Sequence, residues 1–398
     1  MKTVYAAVAL ALGAASAANA ANYGTDLNLT MLPASGGMAG VGIAAPLEPA
    51  AALFGNPATL ADFNSGTSFS FGATFYKPDV SAQHNGGDTG AAWSADSKAS
   101  DYLVPSIAVT QAISKDTVLG LGLTAVSGVG SDFRGTAGSL DPLAELVLFG
   151  ANAGISHRLN DNLDIGGALT IGNGFFQAGL SSNTASRRAF GVRGTLGANY
   201  HLGQTNAGAY YRSKLSIKYE DVVNYNTNAF WDLTVEQPEE FAIGFSNASL
   251  LNGQLLLAAD VIWKTWEGAK FYKDIYENQT IVALGAQLTQ GKAKWRIGYS
   301  HASSPIKGNV GAAVGEATSL SYNGANIPLT PSLVRYLQAT NAEVIWEDQV
   351  TAGFGYELTK NIQLDTHLGV ALSRDETIGN TAVSAEAWQV GAGLTWKF

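Results

Sequence analysis

The chain has 398 residues, a formal net charge of −9, 46% hydrophobic and 14% charged residues, and no cysteine. It is too apolar for a disordered chain, it lacks the clustered basic face of a nucleic-acid binder, and it excludes disulfides as the device that holds the fold together. Its 46 glycines, about 12% against a usual ~7%, sit inside alternating apolar segments and not in linkers, which favours strands.

Lys2, an apolar run over 4–17 and Ala18-Asn19-Ala20 form the three parts of a secretory signal, so residues 1–20 are expected to be removed. Beyond Ala20 no window reaches the roughly 18 consecutive apolar residues of a spanning helix. Residues 21–65 show no sustained alternation. They contain Ser35-Gly36-Gly37-Met38-Ala39-Gly40-Val41-Gly42 and Gly55-Asn56-Pro57-Ala58. They are too few for a core of their own and read as a plug held inside the rest of the chain.

Residues 66–398 change to period two. Strands are expected at 67–76, 102–113, 118–127, 147–159, 163–175, 189–202, 206–219, 241–249, 254–266, 280–288, 295–301, 347–358, 362–373 and 388–398. In the last, Trp388, Val390, Ala392, Leu394, Trp396 and Phe398 alternate with Gln389, Gly391, Gly393, Thr395 and Lys397, which sets the two groups on opposite faces. The apolar face carries an aromatic near each end, as a lipid-facing strand with two girdles does. Connections alternate between short turns and long polar loops at 77–101, 128–145, 176–188, 220–239, 267–279, 302–344 and 375–385. The expected fold is all-β, a 14-stranded antiparallel transmembrane β-barrel with an N-terminal lumenal plug. A β-sandwich, the alternative, would show more mixed loop lengths.

The same phase turns Asp260, Lys264, Arg296, Asp365 and His367 toward the lumen. Arg296 is the first candidate for a carboxylate head group, because guanidinium meets carboxylate in a planar fork; pairing within the lumen or with the plug is the plainer role. Phe175, Phe176, Tyr225, Phe230 and Trp231 form the expected outer hydrophobic capture set, with girdle or loop packing as the plainer role. The five histidines, His84, His157, His201, His301 and His367, are dispersed without metal-ligand spacing, and Gly40-x-Gly42-x-x-Ala45 lacks the strand and helix of a dinucleotide site. No catalytic residue, metal or cofactor is expected. A general diffusion porin is the second reading, and the plug argues against it. A lipolytic barrel is the third, since catalytic triads are recognised by geometry and not by order.

The glycine-rich stretch leading to Asn56-Pro57-Ala58, then Gln237-Pro238-Glu239-Glu240-Phe241-Ala242-Ile243-Gly244, Ala259-Asp260-Val261-Ile262-Trp263 with Trp266, Trp295-Arg296-Ile297-Gly298-Tyr299 leading to Ser304-Pro305, and Glu347-Asp348-Gln349-Val350-Thr351-Ala352-Gly353-Phe354-Gly355-Tyr356 succeed one another in order. In that order the chain resembles the FadL family of Gram-negative outer-membrane transporters of long-chain fatty acids and aromatic hydrocarbons. The resemblance implies a hatch carrying Asn56, Pro57 and Ala58, and a hydrophobic small-molecule ligand caught at the outer loops and passed to a pocket beside the hatch. It also implies a kink in the third strand, where Gly120, Gly122 and Gly128 admit one, opening a sideways route. The implied surroundings are outer-membrane lipid and lipopolysaccharide, around a monomer with no nucleic-acid partner. Fatty acid and hydrocarbon are not separated by the sequence, because apolar burial is non-directional.

Overall fold

A computed structural model describes residues 29–180, 185–341 and 345–398. The expected signal, 1–20, lies outside the described residues. In chain order the strands are β1 (Thr67–Gly87), β2 (Gly90–Asp96), β3 (Tyr102–Ala112), β4 (Thr117–Asp132), β5 (Pro142–Asn160), β6 (Leu163–Leu180), β7 (Arg187–Leu202), β8 (Thr205–Arg212), β9 (Leu215–Asn226), β10 (Ala229–Gln237), β11 (Glu240–Leu250), β12 (Leu255–Lys264), β13 (Gln279–Gln290), β14 (Ala293–Ala302), β15 (Ser319–Tyr322), β16 (Ala325–Pro328), β17 (Asp348–Glu357), β18 (Ile362–Ile378) and β19 (Thr381–Lys397). Two short helices are α1 (Pro49–Phe54) and α2 (Pro331–Ala339).

Fourteen of these strands form one antiparallel wall, and β19 returns to β1 from Ser68↔Lys397 to His84↔Thr381. Closure removes the free edges that an open sheet leaves unpaired, as a span through lipid requires. The alternation of β19 is kept: Trp388, Val390 and Trp396 are 42–47% exposed on the outer face while Gln389 is 1% exposed inside. Residues 29–61 lie within the ring, with α1 and the 3-10 turns Ser35–Met38 and Pro57–Phe63 packed on the inner wall.

The structure corrects the loops. The stretch 77–101 is the outer end of β1 paired with β2, 128–145 is largely the ends of β4 and β5, and 375–385 shrinks to a turn at Gly379-Asn380 between β18 and β19. The seventh wall strand stops at Arg212, not at Tyr219. After Ser213-Lys214, β9 leaves the wall, and Leu215, Ile217 and Tyr219 pack on the inner side of β6 and β7 at Gly172, Gly174 and Gly191. β9 then forms a hairpin with β10 where a polar loop, 220–239, was expected. Leu215, Ile217 and Tyr219 alternate with polar residues as a wall strand does, so period two fixes the face of this segment but not its place.

The third wall strand, β4, has its register shift between Ala125 and Ser127. Gly120 and Gly122 instead lie in the regular ladder below it, facing Leu53 and Leu60 of the plug, and Gly128 pairs with Val147 just above it. The β3–β4 ladder runs from Ala112↔Val118 only to Ser106↔Thr124. Beyond that level residues 102–105 pair with β1 alone and residues 125–132 with β5 alone. Higher still, Lys98 N–H donates to the Asp132 carbonyl at 2.8 Å, and Asp132 N–H to Ser97 Oγ at 3.1 Å. The result is a window in the wall, laddered below and bridged above.

Candidate functional site

The lower lumen is filled by the hatch, and its fit begins with glycine. A Cβ added at Gly166 would collide with Pro57, at Gly197 with Asn56, at Gly208 with Ile43 and at Gly298 with Met38. Glycines on inward positions let the plug backbone lie directly on the wall. Asn56, wholly buried, accepts from Ala58 N–H at 3.2 Å and donates to the carbonyls of Ile43 at 2.9 Å and Ala198 at 3.0 Å. It thus caps the turn Pro57–Phe63 and ties two parts of the hatch to β7.

The inward polar residues are occupied by the hatch and by one another. Asp260 accepts from Gly42 N–H at 2.8 Å and Ile43 N–H at 3.1 Å. Arg212 donates to the carbonyls of Phe54 and Gly55 and pairs with Glu240 at 2.8 Å, while Lys264 lies 3.5 Å from the same carboxylate group. Arg296 donates to Asp365 at 2.7 Å and to Gln287 at 2.7 Å, and His367 contacts the Pro33 carbonyl at 3.2 Å and Gln389 at 3.2 Å. A buried charge is retained only with partners, and these side chains find them without a ligand. Inside the hatch Glu48 accepts from Ala34 and Ser35 N–H groups, and burial pushes its carboxyl up to about 7.

Above the hatch the lumen changes character. A cavity of about 90 Å³ lies between Leu143 on β5, Phe176 on β6, Val223 and Leu233 on the β9–β10 hairpin, Phe271, Tyr272 and Tyr276 around the 3-10 turn Tyr272–Asp274, and Leu329 and Leu337 on and beside α2. The polar side chains among its lining residues, besides the two tyrosines, are Gln338 and Asn341. Gln338 donates to the carbonyls of Ile275 at 2.7 Å and Lys307 at 3.1 Å and accepts from Arg335 at 3.1 Å. Asn341 donates to the Leu337 carbonyl at 2.7 Å and accepts from Ser131 at 3.0 Å. Among the described lining residues no side chain is cationic, so the chamber has nothing to hold a carboxylate by charge.

None of Asp260, Lys264, Arg296, Asp365 and His367 lines this chamber. Of the five expected capture aromatics, Phe176 alone does. Phe175 shares the outward phase of Leu169 and Ile171, with the Arg188 guanidinium 5.9 Å from its ring centre. The rings of Tyr225 and Trp231 lie 4.5 Å apart at a tilt of 33°, Trp231 Nε1 donates to the Ser319 carbonyl at 3.0 Å, and Phe230 pairs across the hairpin with Asn224. Phe271, Tyr272, Tyr276 and Leu337 escaped the sequence reading. A signal for the last was present: Thr330-Pro331 is an N-cap followed by proline at the first helical position, and Thr330 Oγ1 does accept from Leu333 N–H at 3.2 Å.

Among the described residues two groups have ligand atoms close enough for an ion, Asp62 with Asp164 and His201, and His301 with Glu347 and Asp348. Each already has an arginine, Arg158 at 2.8 Å from Asp164 and Arg374 at 3.4 Å from Glu347.

A closed wall of fourteen strands, a lumen stopped by its own N-terminal segment and a greasy chamber above the stopper define a plugged transmembrane barrel of the transport type. The chain belongs to the family described as outer membrane protein transport protein (OMPP1/FadL/TodX), whose model matches residues 10–302, and it is an outer-membrane protein of the Gram-negative kind. The fold is similar to that of the Pseudomonas putida toluene transporter TodX, at 18% identity and TM-score 0.68 over 93% of this chain and 99% of that one. It is similar as well to a Pseudomonas aeruginosa FadL homologue, at 13% identity and TM-score 0.66 over 94% and 100%. The Ralstonia pickettii toluene transporter TbuX aligns at 18% identity and TM-score 0.64 over 93% and 100%. A search of curated proteins finds no match.

Proposed function

We propose that this protein takes up hydrophobic small molecules across the outer membrane by capture among the outer segments, transfer past the hatch and sideways release into the membrane. The observation that carries the reading is the apolar chamber seated above a plugged lumen. Enclosed apolar surface of this kind serves apolar guests. The window between β3 and β4 supports lateral release, since Leu143 and Ala144 line both the chamber and the cleft at that window.

The chamber favours an uncharged guest over a carboxylate, because its walls lack a cation and its two amides are bonded within the protein. Its volume is below the roughly 150 Å³ of an apolar cavity that takes up benzene, so a single ring is admitted with a small shift of lining side chains. The similar proteins named as toluene transporters support an aromatic hydrocarbon as the first substrate to try. Intact cells of a host stripped of its own lipophile channels, with and without this protein, are to be given labelled toluene, oleate and a small sugar. Faster uptake of toluene is expected, a smaller gain for oleate, and none for the sugar. A gain for the sugar alone would replace this reading by a general diffusion porin.

A further inference from the structure

The chamber is narrow and its lining is mostly buried, with Phe176 and Tyr272 2% and Leu329 5% exposed, so its mouth must widen for a ligand to enter. Its sides are β5, β6, the β9–β10 hairpin and the segments that carry Phe271 to Tyr276 and Val314 to Leu329. β5 and β6 are paired continuously from Pro142↔Leu180 to Arg158↔Asp164, and the hairpin from Ala229↔Asn226 to Gln237↔Leu215 apart from two register shifts. Parting the strands breaks a row of backbone hydrogen bonds in a place with little water to replace them, and the other two segments are tied by backbone bonds of their own, Lys307 N–H to the Ile275 carbonyl at 2.9 Å and Leu329 N–H to the Thr318 carbonyl at 2.8 Å. The roof is different. α2 is a single helix of nine residues whose own hydrogen bonds are internal, and it joins no sheet. What holds it down is side-chain contact: Gln338 to the Ile275 and Lys307 carbonyls, Arg335 to the Lys307 carbonyl at 2.8 Å, Tyr336 Oη accepting from Leu140 N–H at 3.4 Å, and the Tyr336 ring edge-on to His84 at 5.0 Å and Trp93 at 6.2 Å.

Resting on the proposal that the chamber receives a ligand, we propose that α2 is a lid, that hydrophobic ligands reach the chamber by lifting it off the outer ends of β1, β2, β18 and β19, and that Gln338 is its latch. Gln338 suits that role because a buried amide, 3% exposed, spans from the helix to two carbonyls on different segments. The helix also brings Leu337 into the chamber on the same face, so the motion that frees the latch withdraws part of the lining.

The structure supplies its own staple. A Cβ at Gly379, in the β18–β19 turn, would stand 3.2 Å from the Arg335 Cβ on α2, a few tenths of an ångström inside the usual range for a disulfide, and the chain has no cysteine to compete. Arg335→Cys with Gly379→Cys therefore ties the lid shut when oxidised. The reduced pair is the control, since it carries the same strain of a side chain at Gly379, where φ is +63°. Toluene uptake is expected to fall at least tenfold on oxidation and to return with a reductant; equal rates in the two states would overturn the lid.

A second readout needs no transport. Ala317, 4% exposed, lines the chamber, and Ala317→Cys in purified protein is expected to react with N-ethylmaleimide at least tenfold more slowly when the staple is closed. Equal labelling overturns the lid. Staple-dependent labelling in a protein that carries no lipophile keeps the lid and overturns the transport reading. Should the stapled pair fail to assemble, Gln338→Met is expected to speed labelling of Ala317→Cys several-fold, and an unchanged rate counts against the latch.

Discussion

The two halves of one lumen are built on opposite chemistry. The lower half is directional: Asp260 on two N–H groups, Arg212 on two carbonyls, Asn56 on three partners, with glycines bringing backbone against backbone. The upper half is non-directional, a set of aliphatic and aromatic side chains around Phe176 and Leu337 whose few polar atoms point elsewhere. A hatch must return to one position, and hydrogen bonds between named atoms specify position. A chamber for lipophiles has only to keep water out, and apolar surface does that without choosing an orientation.

The strongest way to break this contrast is Arg212→Met. It leaves the hatch carbonyls of Phe54 and Gly55 without their donor and Glu240 with Lys264 as its main counter-charge. Breaking a buried pair of this sort costs roughly 3–5 kcal/mol. Urea unfolding in micelles and protease cleavage of the hatch should both show it, and an uncut hatch would mean that glycine packing alone seats the plug. The reverse case is Leu337→Asn, which wets the chamber and leaves the hatch untouched. Toluene binding is expected to weaken about tenfold, the worth of one buried aliphatic side chain at ~1.5 kcal/mol, with no change in hatch proteolysis. Loss of both together would join the two halves into one cooperative unit.

The smallest effect is a matter of pH. The Glu48 carboxyl keeps its proton up to about 7 in the folded hatch, against 4.5 unburied, so its contribution is complete at low pH and is lost as pH rises through 7. Stability of the hatch should fall as pH rises from about 4.5 to about 7 and level off above that. Glu48→Gln should flatten that slope in the same unfolding measurement.

This contrast also explains what the sequence displayed and what it hid. Lipid imposes one rule on the outside of every wall strand, so the Trp388 to Phe398 alternation and the count of fourteen were legible, as was the segment without alternation that became the hatch. The inward phase of Asp260, Lys264, Arg296, Asp365 and His367 was legible too. Their partners were not, because the backbone N–H groups of Gly42 and Ile43 leave no mark in a residue pattern. The glycines were counted before their use was visible: only the structure sets Gly166, Gly208 and Gly298 against the plug. The chamber was the least legible part. It is assembled from five connections far apart in sequence, and its hairpin, β9–β10, carries the alternation of a wall strand without being one.

The ladder between β3 and β4 stops at Ser106↔Thr124 and resumes contact only at Lys98 and Asp132. Considered as a hoop, the barrel is continuous at its base and interrupted higher up, below the bridge at Lys98 and Asp132. A continuous hoop resists widening through every bond around its circumference, whereas a slit one widens by bending at the joint. The girth of this protein is therefore fixed where it retains its plug and adjustable at the level of the chamber.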